Sequence, residues 1–150
     1  EELEIGDKFP AGIKVTNQDN KEIDLSAVIK DHHVVIIFAY PKASTPGCTR
    51  QVNGFKDNYE KLTGKSDVVV FGLSGDNFKA QKKFQEKQGL PYDLIADDDR
   101  QLIEMFGIGK QPKGVIRSHL IFQDGGLVEK RVKISPEVSF NEAVKFVESL

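Results

Sequence analysis

Two apolar runs, Val34-Val35-Ile36-Ile37-Phe38-Ala39-Tyr40 and Val68-Val69-Val70-Phe71, constrain this chain more than any other feature. Both are short, rich in β-branched residues and continuous, with no polar position alternating through them. A strand that faces water on one side alternates; a strand covered on both faces does not. The runs therefore predict central strands of a sheet, at least partly parallel, with layers packed above and below. Between them Val52, Phe55, Tyr59 and Leu62 recur at helical spacing, and Gly64 is placed to end that helix. The unit is β-α-β.

Downstream, residues 77–88 read as a helix ending at Gly89, Asp93 to Ala96 as a short strand, and Arg100 to Phe106 as a short helix stopped by Gly107. The last third changes character. Val115 to Phe122 and Leu127 to Ile134 flank Asp124-Gly125-Gly126, a turn signal for an antiparallel hairpin. Ser139-Phe140-Asn141-Glu142 has the form of a capping box opening a final helix, with Phe140, Val144 and Val147 on its inner face. Ile13 to Asn17 and Lys21 to Leu25 form a candidate N-terminal hairpin. No repeat, low-complexity stretch or linker divides the 150 residues, so one domain over 1–150 is expected. A β-α-β half followed by a hairpin and a C-terminal helix is the element order of the thioredoxin-like fold. The expected class is thus α/β, a central mixed sheet flanked by helices, with the N-terminal hairpin as an extension.

Composition removes several functions. With 21 basic and 23 acidic residues, no bulk field selects a polyanion such as nucleic acid. The basic side formed by Lys79, Lys82, Lys83 and Lys87 reads as a solvated helix face, because no aromatics interleave it for base stacking. The longest apolar run is far below the roughly 20 residues that span a bilayer, so no membrane association is expected. A single cysteine rules out an internal disulfide and a multi-cysteine zinc site within these residues, and fits a reducing compartment. A chain starting at Glu1 is expected to be trimmed or processed, which leaves room for a targeting segment before it.

That cysteine, Cys48, lies in Pro41-Lys42-Ala43-Ser44-Thr45-Pro46-Gly47-Cys48-Thr49, between the first buried strand and its helix. It occupies a first helical turn at the carboxyl end of a strand, where α/β proteins place ligands. Free N–H groups and the positive end of the helix dipole stabilise negative charge there. At about 100° per residue Cys48 lines up with Val52, Phe55, Tyr59 and Leu62 within roughly 40°, so the sulfur faces the protein body. Most lone cysteines merely fill core space; the loop, not the periodicity, argues otherwise. A dithiol of the Cys-x-x-Cys kind is absent, since Gln51 holds the second position. His32-His33 point to opposite sides of a strand and form no metal pair. Asp97-Asp98-Asp99 precedes a helix and reads as capping carboxylates.

Pro41-x-x-x-Thr45-x-x-Cys48 resembles the peroxiredoxin active-site pattern. Tyr40-Pro41-Lys42, Gly54-Phe55-Lys56-Asp57-Asn58-Tyr59, Leu90-Pro91-Tyr92, Ile116-Arg117-Ser118-His119 and Arg131 to Glu137 are similar to the bacterioferritin-comigratory-protein or Q-type branch, and within it to fungal nuclear thiol peroxidases. The resemblance implies a thiol-dependent peroxidase in which Cys48 attacks hydroperoxides and becomes a sulfenic acid. It makes Arg117 a guanidinium beside the sulfur. On an unbroken strand Val115, Arg117, His119 and Ile121 share one face. Thr45, Gly47, Cys48 and Arg117 become donors to the peroxide oxygens, and Pro41 a cover that limits water.

No metal, haem or flavin is implied. Many Q-type members carry a resolving cysteine five residues after the peroxidatic one; here that position is Asn53. The expected cycle therefore uses one cysteine and an external thiol, from a thioredoxin or glutathione system. The resemblance also implies a monomer and a nuclear or cytoplasmic location. A peroxide sensor that hands its oxidation to a partner thiol, and a catalytically idle binding module, remain open at this level.

Overall fold

A computed structural model describes residues 2–150. The N-terminal hairpin is present but short, β1 (Lys14–Thr16) pairing antiparallel with β2 (Glu22–Asp24). β2 stops where the Asp24 carboxylate accepts the Ala27 N–H and caps α1 (Leu25–Asp31). This helix buries only Leu25 and Ile29, too few positions to announce a period in the sequence. Then come β3 (Val34–Ala39), α2 (Pro46–Asp57), α3 (Tyr59–Thr63), β4 (Val68–Ser74), α4 (Phe78–Gln88), β5 (Asp93–Ala96) and α5 (Gln101–Phe106). A two-residue ladder of β6 (Gly109–Lys110) with β7 (Gly114–Val115) precedes β8 (Ser118–Gln123), β9 (Gly126–Val132) and α6 (Pro136–Glu148).

Five strands make one mixed sheet in the order β5-β4-β3-β8-β9. β3 and β4, and β4 and β5, run parallel; β8 is antiparallel to both β3 and β9. Helices cover both faces, and the arrangement is thioredoxin-like. β3 is buried at all six positions and feeds two cores alternately. Val35, Ile37 and Ala39 pack with Leu25, Ile29 and Phe106; Val34, Ile36 and Phe38 pack with Cys48, Val52, Phe55 and Val147. The Phe38 and Phe55 rings stack with centroids 4.1 Å apart. Each fully buried side chain of this size contributes about 1.5–3 kcal/mol, so the helix carrying Cys48 is anchored by the core itself.

Three segments depart from their sequence patterns. The helical run after Cys48 breaks at Asn58, whose Nδ2 donates to the Gly54 carbonyl at 2.8 Å and ends α2 before α3 begins. Val115 to Phe122 is not one strand. The ladder lapses at Ile116 and Arg117, where Ile116 N donates to Ile108 O and Ile134 N to Arg117 O. Val115 consequently joins the α1 and α5 side of the sheet and Ile121 the Cys48 side, so the four alternating residues do not share a face. The final helix starts one turn before the capping-box pattern, at Ser135-Pro136, with Ser135 Oγ accepting the Val138 N–H. Proline at the first helical position is the stronger start signal, and it frees Ser139 to be buried inside α6.

The other turn signals stand. Asp124 and Gly125 adopt φ of 51° and 86°, the paired positive values of a type I′ hairpin. Gly89 and Gly107 close α4 and α5 in the left-handed conformation.

Candidate active site

β3 delivers the chain to the loop 41–45, and Thr45, in extended conformation, opens α2 with Pro46 at its first position. Ser44 holds a φ of 68°, an unfavourable value for a residue with a side chain, in the tightest part of this loop. The loop is moored from outside: Ala43 N donates to Asp76 Oδ2 at 2.8 Å, and the same oxygen accepts Ser74 Oγ at 2.7 Å. Tyr40, at its root, donates to Gln81 Oε1 at 2.6 Å; burial raises its pKa well above the ordinary value and keeps the hydroxyl a donor.

Cys48 sits in the first turn of α2 and is 1% exposed. The N–H groups of Gly47 and Cys48 have no intrahelical acceptor in that turn. Across from them Arg117 enters from the gap between β7 and β8 and places both terminal nitrogens, Nη1 and Nη2, 3.8 Å from Cys48 Sγ. A guanidinium that divides two donors over one sulfur stabilises negative charge on it and remains charged throughout.

Of the expected site residues, Cys48, Gly47 and Arg117 are brought together. Gly47 lies against Arg117, and a Cβ added there would stand 2.9 Å from Nη2. Thr45 is at the helix start, but its hydroxyl donates to Lys42 O at 2.8 Å and so presents lone pairs, not its proton, to a ligand. Pro41 lies in the loop after β3 and is exposed. The inner face of α2 holds Cys48 against β3.

A buried residue without an expected role completes the site. Gln51 is fully buried and accepts from Arg117 Nη1 at 2.6 Å. An amide three positions after Cys48, near the same helix face, had to find a polar partner inside the protein. Its amide nitrogen lies 3.2 Å from Ser139 Oγ, and Ser139 in turn 3.3 Å from His119 Nδ1. Among the described residues no buried side-chain nitrogen or oxygen lacks a partner, and no cluster of three or more histidine, cysteine or acidic side chains is arranged to hold a metal.

Residues 5–131 match the model of the AhpC/TSA family. The chain belongs to that family. Among curated relatives it is 44% identical to Peroxiredoxin bcp1 of Schizosaccharomyces pombe over 144 residues, 94% of this chain and 72% of that protein. It is 34% identical to Peroxiredoxin Bcp of Bacillus subtilis over 147 residues, covering 91% of each. Among solved structures it is similar to a mutant of the Xylella fastidiosa peroxiredoxin Q, with a TM-score of 0.89, 21% identity and coverage of 99% and 98%. The bacterioferritin comigratory protein of Xanthomonas campestris gives 0.86 at 24% identity, with coverage of 98% and 96%. Those two likenesses establish the fold. The relatives place this AhpC/TSA member with the peroxiredoxins of the Q/Bcp branch, and as a peroxiredoxin it is a thiol peroxidase, an oxidoreductase acting on peroxide.

Proposed function

We propose that Cys48 is the peroxidatic nucleophile and that Arg117, Gly47 and Thr45 organise the peroxide around it. The observation that carries this reading is the pair of Arg117 nitrogens, each 3.8 Å from a sulfur in the first turn of a helix. The Cys48 thiolate attacks the outer oxygen of ROOH; the S–O bond forms as the O–O bond breaks, and its electron pair leaves on RO. The peroxide's own proton ends on that oxygen, giving ROH and a Cys48 sulfenate. Arg117 and the N–H groups of Gly47 and Cys48 face the charge that develops. Thr45 Oγ1, its proton spent on Lys42, accepts from the peroxide O–H and orients it. Pro41 shapes the loop from outside.

The family uses a peroxide and a thiol reductant such as thioredoxin. With one cysteine in the chain, we read the cycle as one-cysteine: an external thiol condenses with the sulfenic acid, releasing water, and a second thiol restores Cys48. The reductant would come from a thioredoxin or glutathione system. At 1% exposure the sulfur is closed to a protein thiol, so reduction requires the first turn of α2 to open. We further propose that residues 1–150 work as one monomeric unit, with no metal or other cofactor, in the nucleus or cytoplasm as the fungal likeness suggests.

Peroxide consumption, supplied in turn with thioredoxin, glutaredoxin plus glutathione, and dithiothreitol, tests the reading. Turnover is expected with at least one reductant and none from Cys48→Ser. Turnover surviving in Cys48→Ser would overturn the assignment, and oxidation of Cys48 without turnover under any reductant would favour a sensor.

A further inference from the structure

Behind Cys48 a single file of buried polar side chains has its hydrogen-bond directions forced from both ends. Arg117 only donates, so the atom 2.6 Å from its Nη1 is the carbonyl oxygen of Gln51 and not the amide nitrogen. Gln51 Nε2 therefore donates, to Ser139 Oγ at 3.2 Å and weakly to the Ala39 carbonyl at 3.4 Å. Ser139 has its own proton to place, and His119 Nδ1 at 3.3 Å is its acceptor. At the far end burial raises the pKa of Glu129, but hydrogen bonds from His119 and Arg131 outweigh burial and hold it below the ordinary range. An ionised carboxylate only accepts, so His119 Nε2, 2.6 Å from Glu129 Oε2, carries the ring proton. The two derivations meet at the imidazole and agree: Nε2 donates and Nδ1 accepts.

We propose that His119, Ser139 and Glu129 are positioning residues for the peroxide step, fixing which end of the Gln51 amide meets Arg117 and thereby holding both guanidinium nitrogens at the Cys48 sulfur. The inference rests on the peroxidase reading of Cys48. Were the amide flipped, its NH2 would oppose the guanidinium donor to donor and push Arg117 away. Ser139 alone does not prevent this, because a hydroxyl can as readily donate to a flipped carbonyl as accept from an amide nitrogen. His119 Nδ1 takes the hydroxyl proton and removes that option. Glu129 fixes the tautomer that leaves Nδ1 free. Gln51, Ser139 and His119 are each fully buried, so water supplies none of them with another partner.

The test measures two half-reactions in wild type, Ser139→Ala, Gln51→Leu and the double variant: Cys48 oxidation by hydrogen peroxide, and sulfenate reduction by dithiothreitol. Ser139→Ala should slow oxidation on the order of tenfold, short of the roughly hundredfold that an ångström of misplacement costs. Reduction should be unchanged, and Ser139→Ala should cost nothing further in the Gln51→Leu background. A general loss of structure would move both half-reactions and persist in that background. Oxidation at the wild-type rate in Ser139→Ala, or a full additional loss in the double variant, overturns the proposal. Nitrogen NMR of the wild-type His119 ring gives an independent check that needs no variant: Nε2–H is expected, and a proton on Nδ1 overturns it. A wild type whose Cys48 does not react removes the peroxidase reading and the proposal together, whereas a reactive wild type unmoved by Ser139→Ala removes the proposal alone.

Discussion

Gly47 is where Arg117 rests, since a Cβ built on it would stand 2.9 Å from Nη2. That nitrogen is the far end of a flexible side chain, so Gly47→Ala asks the guanidinium to move and not the fold. Alanine is also the better helix former, by up to about 1 kcal/mol. We therefore expect Gly47→Ala to keep or slightly raise the melting temperature while slowing peroxide reduction, on the order of tenfold, as read by competition kinetics. An unchanged rate would mean that the guanidinium's place beside the sulfur is not used. Arg117→Lys probes the same contact from the other side. Lysine keeps the charge, but one ammonium cannot span Gln51 Oε1 and Cys48 Sγ as the planar fork does. Its second-order rate should fall at least about tenfold, and equal rates for the two proteins would place Arg117 outside the chemistry.

Between elements, α2 and α6 approach so closely that Gly54 has no room for a methyl group. A Cβ there would lie 2.0 Å from Phe140 Cδ2. Overpacking of this kind costs about 1–3 kcal/mol, more than helix propensity returns, so Gly54→Ala should lower the melting temperature by several degrees; calorimetry reporting no loss would show that Phe140 swings out freely. Asn53 binds α2 to the end of α4 through Gln88 Oε1 at 3.0 Å. It stands roughly 140° around the helix from Cys48. In Asn53→Cys a 48–53 disulfide can form only if the first turns of α2 unwind. Under peroxide with limiting thiol, mass spectrometry should find that disulfide and slower sulfinate formation than in the parent; absence of both would show that this helix stays closed. What the sequence made legible at this scale followed from local chemistry: continuous β-branched runs, Gly89 and Gly107 as stops, Asp124-Gly125 as a turn. What it hid was decided across elements. Ser139 matches a capping box, and only the competing Ser135-Pro136 start reveals it as buried. Gln51 reads as a missing second cysteine until Arg117 arrives from sixty-six residues away.

For the whole molecule, the acidic run before α5 stores a dependence of stability on pH. Asp97 is 2% exposed, and its carboxylate accepts the N–H groups of Leu102 and Ile103 at 3.2 and 2.8 Å, capping α5 at the end of the sheet. Burial raises its pKa; the two backbone bonds offset this in part and the Asp99 carboxylate adds to it, so the group titrates at about 6 instead of 3.8. An acid with a raised folded pKa binds its proton more tightly in the folded state. Its contribution is therefore neutral below about pH 4, falls as the pH rises between about 4 and 6, and is a constant penalty above. That displacement corresponds to about 3 kcal/mol. Carboxylates with lowered values, Glu129 among them, act oppositely and lose their stabilisation as the pH falls, so the wild-type curve alone would not isolate Asp97. The difference from Asp97→Asn does. The variant cannot titrate, and like the protonated acid it keeps one carbonyl oxygen as acceptor for the backbone N–H groups. In urea denaturation the two proteins should be closest in stability near pH 4, where Asp97 is protonated too, and the variant should become the more stable one as the pH rises to 7. Parallel curves across that range would mean that Asp97 titrates alike in the folded and unfolded chain, and that burial at the head of α5 carries no electrostatic cost.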